Sequence, residues 1–283
     1  TSTCTDGETV WSFCNEGGPK YVYRADAKPF GEGRAQRPNV YLPKGWVKAM
    51  ACWRDAARAQ TTVFIAQGGQ ILSSNETRHV RYYESDKAFV DAVTVHAGEN
   101  GKPLAELPLA RPLGLAARNG SLYALHGVGN GYAVETVPLQ SGLPQGGWQR
   151  LFTLPAARAP FDIEVDRSQR IYLSFPEANK VEAFDRAGNR LCSIGRLDEQ
   201  PSGNYDPLTL MAPGKLAVRT DADGTDRILV VEQAGPNRVS EWSQAGKLVR
   251  EYTSLQTKAN DGYAIDPEAP DTVYIAGHKG WMT

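Results

Sequence analysis

One stretch of the chain, Phe161 to Gly195, limits the possible folds more than any other: FDIEVDRSQRIYLSFPEANKVEAFDRAGNRLCSIG. Ile163 and Val165 alternate with Asp162, Glu164 and Asp166, the period of a half-buried strand. Arg167 to Arg170 is a polar turn, and Ile171-Tyr172-Leu173 reads as a second, more buried strand. Pro176, Glu177 and Asn179 interrupt it; Val181 to Phe184 resume; Ala187-Gly188-Asn189 turns the chain into Leu191 to Ile194. The unit predicts a four-stranded antiparallel meander, which cannot cover its own two apolar faces and therefore needs neighbours of the same kind.

Those neighbours are visible. Val10–Phe13, Thr62–Ala66, Ser121–His126, Ile171–Ser174, Ile228–Val231 and Thr272–Ala276 are short β-rich runs of the second-strand type. With Phe64, Tyr123, Tyr172, Leu229 and Tyr274 as markers, subtraction of residue numbers gives spacings of 59, 49, 57 and 45. These intervals suit propeller blades with insertions. Third strands are expected at Tyr21–Arg24, Val80–Tyr83, Tyr132–Val137, Val181–Phe184 and Val239–Trp242. No long amphipathic helical pattern interrupts the series, and Arg54 to Gln60 reads as a loop. The fold class expected is all-β: a six-bladed β-propeller of four-stranded antiparallel blades, the last incomplete, with residues 1–283 as a single domain.

The residues Pro160-Phe161-Asp162-Ile163-Glu164-Val165-Asp166, Ile171-Tyr172-Leu173-Ser174, Asn179-Lys180-Val181 and Phe184-Asp185-Arg186-Ala187-Gly188-Asn189 resemble the NHL repeat. Pro236-Asn237-Arg238-Val239 with Gly246-Lys247-Leu248 repeats its later part, and Asp162 stands where the repeat usually has Gly. The resemblance implies a β-propeller, commonly six-bladed, in a group that includes scaffolds, sugar binders, lactonases and lyases. It speaks to fold rather than to activity.

Composition excludes some partners. Lys and Arg number 31 against 32 Asp and Glu, a formal charge of -1, so no global basic field gathers nucleic acid or coats an anionic membrane. No apolar run is long enough for a membrane span. The four cysteines form no CxxC pair; Cys4 and Cys14 could bridge locally, whereas Cys52 and Cys192 fall in strands as candidate buried thiols. Asn75-Glu76-Thr77 and Asn119-Gly120-Ser121 fit the glycosylation triplet. The expected location is secreted or periplasmic.

In a propeller the loops between second and third strands, and those joining consecutive blades, open on one face. That face is expected to carry Glu16, Glu177, Glu232, Asn237, Asn260 and Trp281 as ligand-binding residues. His126 and His278, which follow the marker tyrosines by three and four residues, are candidates, with Glu232 or Asp261, for general acid and base work or for holding a divalent ion. Asp221, Asp223 and Asp226 cluster around Gly224, an oxygen-rich set that invites calcium, with an ordinary solvated hairpin as the plainer reading. No nucleophile elbow, HExxH, phosphate loop or dinucleotide fingerprint is present. Two functions remain open: a binding module for a glycan or protein partner, or a metal-dependent (Ca or Zn) lyase or lactone hydrolase.

Overall fold

The computed structural model describes residues 2–5, 9–13, 22–26, 46–55, 57–68, 72–75, 80–83, 91–196, 206–234, 238–253, 263–265, 272–275 and 278–281. Every sheet in it is antiparallel, and its one helical turn among the described residues is the 3-10 segment Pro176–Ala178. The chain divides into two compact units, Thr1–Arg150 and Leu151–Thr283.

The first unit holds two blades. In the first, the strands run Trp46–Asp55, Gln60–Gly68, Ala92–Ala97 and Pro103–Pro108. The second runs Pro112–Arg118, Ser121–Val128, Gly131–Gln140 and Leu143–Pro144, with a fifth strand beginning at Gln149. In the second unit the third blade is Ile163–Val165, Ile171–Phe175, Lys180–Phe184 and Arg190–Ile194, and the fourth is Pro213–Thr220, Asp226–Glu232, Arg238–Ser243 and Leu248–Thr253. The chain begins and ends in three-stranded sheets, Ser2–Thr5 with Thr9–Phe13 and Val22–Asp26, and Tyr263–Ile265 with Thr272–Ile275 and His278–Trp281.

Four blades of four or more strands therefore form, not the expected six. The six second-strand runs each become the middle of a sheet, but the two outer sheets have no fourth strand among the described residues. A second correction concerns Val80–Tyr83. It pairs with Leu72–Asn75 as a separate hairpin, and the third strand of the first blade is Ala92–Ala97, with Thr62 opposite Ala97 and Gln67 opposite Ala92.

Why the second strands carry the strongest signal is clear from their burial. Ile171 to Phe175 are buried at every position, and Asp226 to Glu232 alternate buried and half-buried positions. In the second unit Tyr172, Val181, Ala183 and Ile194 pack against Leu216, Ile228, Val230 and Trp242. In the first, Phe64, Ala66, Val93 and Val95 pack against Leu115, Leu122, Ala124 and Val137. Tryptophans serve this packing: Trp242 is buried and donates to Ser240 Oγ at 2.8 Å, and Trp148 lies on the first core and donates to the Pro108 carbonyl at 3.1 Å. Cys4, Cys52 and Cys192 are free thiols; Cys14 lies outside the described residues.

The hairpins from third to fourth strand repeat as the sequence suggests. Gly188 sits at φ 84° and Gly246 at φ 76°, both in the left-handed region, and a Cβ on Gly188 would lie 2.6 Å from the Phe152 Cβ. Asp185 closes the first of these turns by accepting the amides of Ala187 and Asn189 at 2.9 and 2.8 Å. Asp223 does the same for Thr225, and Asp206 for Leu208. Asn189 for Asp185, Leu208 for Asp206 and Thr225 for Asp223 are the main donors that hold these three exposed carboxyls below the ordinary aspartate value of 3.8. A carboxyl with a depressed folded pKa contributes stability above its unfolded value and loses it as pH falls through the folded one. Denaturant midpoints measured from pH 6 downward are thus expected to stay level to about pH 4 and then fall, and the fall should be smaller in a D185N/D206N/D223N triple variant.

Candidate functional site

The first residue of a blade's first strand lies opposite a residue at or near the end of its second strand. In the second blade that pair is His126 and Pro112; in the fourth it is Glu232 and Pro213. Both side chains are buried, at 4% exposure, and both reach the incoming connection two residues before the proline. His126 Nδ1 lies 3.1 Å from the Ala110 carbonyl, and Glu232 accepts the Met211 amide at 2.7 Å. The same position thus staples the inter-blade connection into the blade, once through a carbonyl and once through an amide.

Since a carbonyl can only accept, His126 Nδ1 is the donor in the Ala110 contact. Nε2 has no hydrogen-bond partner and faces Glu135 Oε1 at 3.5 Å. Arg150 holds that same oxygen at 3.0 Å.

In the fourth blade the staple is charged. Arg238, fully buried, donates through Nε to Glu232, through Nη1 to Glu251 and to the Pro207 carbonyl at 2.9 Å, and through Nη2 to the Thr209 carbonyl. Burial pushes the Glu232 carboxyl above its ordinary range, and Arg238 pulls it back only in part.

Above this clamp the connection 206–212 meets the two neighbouring second-to-third-strand loops, and a cavity of about 130 Å³ opens between them. Five apolar residues line it, Pro176, Leu210, Met211, Ala212 and Ala234, together with their main-chain polar groups. Two polar side chains complete it, Glu177 and Asn179. Pro176 starts the 3-10 turn with a residue that has no amide to satisfy, and this turn leaves Glu177 exposed. Asn179 ends it in the left-handed conformation, φ 49° and ψ 40°, which asparagine tolerates. Its amide donates to Pro176 O at 3.2 Å, and its Oδ1 accepts the Ala212 amide at 2.9 Å. The Gln233 amide donates to Ala212 O at 3.0 Å, tying the far wall to the same connection. Among the described residues the Glu177 carboxylate has neither ion pair nor hydrogen bond, and the Asn179 side-chain NH2 has no acceptor.

The structure thus gathers Glu177, Asn179 and, beneath them, Glu232. Met211 and Ala212 were not singled out from the sequence; the repeated pattern of a connection ending in Pro with Gly close behind, Ala110-Arg111-Pro112-Leu113-Gly114 and Met211-Ala212-Pro213-Gly214, was the signal that could have marked them. Glu16, Asn237, Asn260 and Asp261 lie outside the described residues. His278 and Trp281 are the first and last residues of a strand, opposite Ile275 and Thr272. The aspartates of the 221–226 turn are each committed to protein partners. Asp221 takes Arg219 and Arg227, both at 2.9 Å; Asp226 accepts from the Thr220 hydroxyl at 2.6 Å and the Arg167 amide at 2.8 Å; Asp223 accepts the Thr225 amide at 2.8 Å. Among the described residues no group of three or more His, Cys, Asp or Glu side chains is arranged to hold a metal ion. No helix among them is long and apolar enough to cross a membrane.

No protein-family model matches the chain, and none of the curated proteins matches it in sequence. Solved structures do. A streptogramin B lyase structure has a TM-score of 0.52 at 12% identity, over 98% of this chain and 75% of the other. Selenomethionine-substituted virginiamycin B lyase from Staphylococcus aureus has a TM-score of 0.52 at 14% identity, over 97% and 90%. A catalytically inactive form of the same lyase with quinupristin has 0.51 at 12%, over 92% and 71%. At such identities the likeness carries the fold alone, and with the four-stranded blades it gives one conclusion: this chain is a β-propeller.

Proposed function

We propose that the chain is a binding module that takes a protruding group of a glycan or protein partner into the pocket between the third and fourth blades. The observation that carries this reading is the pocket's size together with its lining. Pockets that enclose a whole small substrate usually measure roughly 300 to 1,000 Å³. At about 130 Å³ this one suits a single side chain or ring edge of something larger. Its apolar side chains favour burial of that group, while the uncommitted Glu177 acceptor and Asn179 donor give direction. The enzymatic alternative draws no comparable support from His126, which is 4% exposed.

The test is a glycan array and a peptide array probed with the full chain and with Ala234→Trp. Ala234 is exposed on the pocket wall, so tryptophan there fills the cavity without disturbing a core. Binding by the wild type on either array, weakened at least about tenfold (about 1.4 kcal/mol) in the variant, is the expected result. Binding that the variant leaves intact would place recognition elsewhere.

A further inference from the structure

We propose that the occupant of this pocket is the side chain of a lysine on a protein partner, an inference that rests on the binding reading above. Three features converge on it. The first is size: an engineered cavity of about 150 Å³ holds one benzene, so about 130 Å³ accepts about five or six heavy atoms, the extent of a lysine's butylammonium side chain. The second is the distribution of polarity. Met211 and Ala234 offer apolar contact to a tetramethylene stem, which buries its methylenes while keeping its charged end toward a polar rim.

The third feature is charge. Glu177 is the one charged residue on the lining, and its carboxylate is uncommitted among the described residues. Lys180, the nearest cation in sequence, is turned to Glu182 at 2.9 Å. Beneath the pocket, Glu232 and Glu251 both pair with Arg238. A carboxylate ligand would meet Glu177 unfavourably, and a neutral one would leave it without a partner. The Asn179 Nδ2 donor beside the carboxylate has the chemistry to take a backbone carbonyl of the same peptide, which a free amine would not supply.

The experiment uses methyl labelling. The chain has three methionines, so a sample carrying labelled methionine methyls gives few signals, and the Met211 methyl lines the pocket. Its resonance is assigned with Met211→Leu. Blocked tripeptides Gly-Lys-Gly, Gly-norleucine-Gly and Gly-Glu-Gly are titrated into the full chain. The expected result is a shift of the Met211 methyl by the lysine peptide, about fivefold tighter than the norleucine peptide, the upper end for an exposed ion pair. This preference should vanish in Glu177→Gln, and Ala234→Trp should abolish the shift.

Equal binding of lysine and norleucine peptides, a preference unchanged in Glu177→Gln, or no Met211 shift with any peptide would each overturn the lysine assignment. A glycan-array signal lost in Ala234→Trp alongside any of these would keep the binding reading and identify a sugar as the occupant. Array binding indifferent to Ala234→Trp would instead remove the binding reading itself.

Discussion

Arg238→Met is expected to cost the fold about 3 to 5 kcal/mol, the range for removing one partner of a buried ion pair. The guanidinium holds two carboxylates and two carbonyls, those of Pro207 and Thr209. Methionine replaces its volume but none of these donors. Glu232, whose side chain is fully buried, would then be an uncompensated charge fixed in place by the Met211 amide. Its pKa, already raised by burial, would rise further once Arg238 no longer opposes that effect.

The sign of the resulting pH dependence follows from linkage. A carboxyl whose folded pKa exceeds its unfolded value contributes stability at low pH and loses it as pH rises through the folded value. Arg238→Met should accordingly be less destabilised at pH 5 than at pH 7.5, and E232Q/R238M should recover stability at pH 7.5 by removing the stranded charge. Guanidinium denaturation of the three proteins at both pH values measures this. A single variant within about 1 kcal/mol of wild type at pH 7.5 would mean that the clamp is not buried as described.

Asp166→Ala is expected to cost about 3 kcal/mol, since it strands several buried donors at once. Asp166 is fully buried and accepts the Arg170 amide at 2.9 Å, the Tyr172 hydroxyl at 3.0 Å and the Gln244 amide nitrogen at 2.7 Å. Gln244 belongs to the fourth blade, so one carboxylate closes the third blade's first turn and joins it to its neighbour. Burial, and then the Asp166 charge, drive the Tyr172 phenol upward, which keeps it a donor at every working pH. Tyr172→Phe removes one of these donors and should cost only about 1 kcal/mol. Because the two residues share a bond, the double variant should cost less than the sum, and a thermodynamic cycle on denaturant midpoints reads the coupling directly. Strict additivity would show that the phenol and carboxylate do not meet.

What the sequence disclosed, and what it hid, divides along a physical line. Ile171–Phe175 and Ser121–Val128 were legible because these two strands are buried along nearly their whole length, which leaves apolar and aromatic runs. The Ala187-Gly188 turn was legible because its backbone needs a positive φ. Val80–Tyr83 misled because a local β pattern does not say which strand it will pair with; that choice lay with Ala92–Ala97, farther along the chain.

The site was half visible. Glu177, Asn179 and Glu232 could be placed on one face by topology alone. The roles of His126 and Glu232 could not, since each is set by a main-chain group, the Ala110 carbonyl or the Met211 amide, and main-chain groups leave no trace in residue identity.

The two staples differ in one further respect. The connection offers an acceptor to His126 and a donor to Glu232, so the polarity required of the side chain inverts between the second and fourth blades. Glutamate at position 126 would set acceptor against acceptor inside a dry interior, whereas histidine at position 232 could accept the Met211 amide through its other tautomer. An exchange between the two modules is therefore tolerable in one direction and costly in the other.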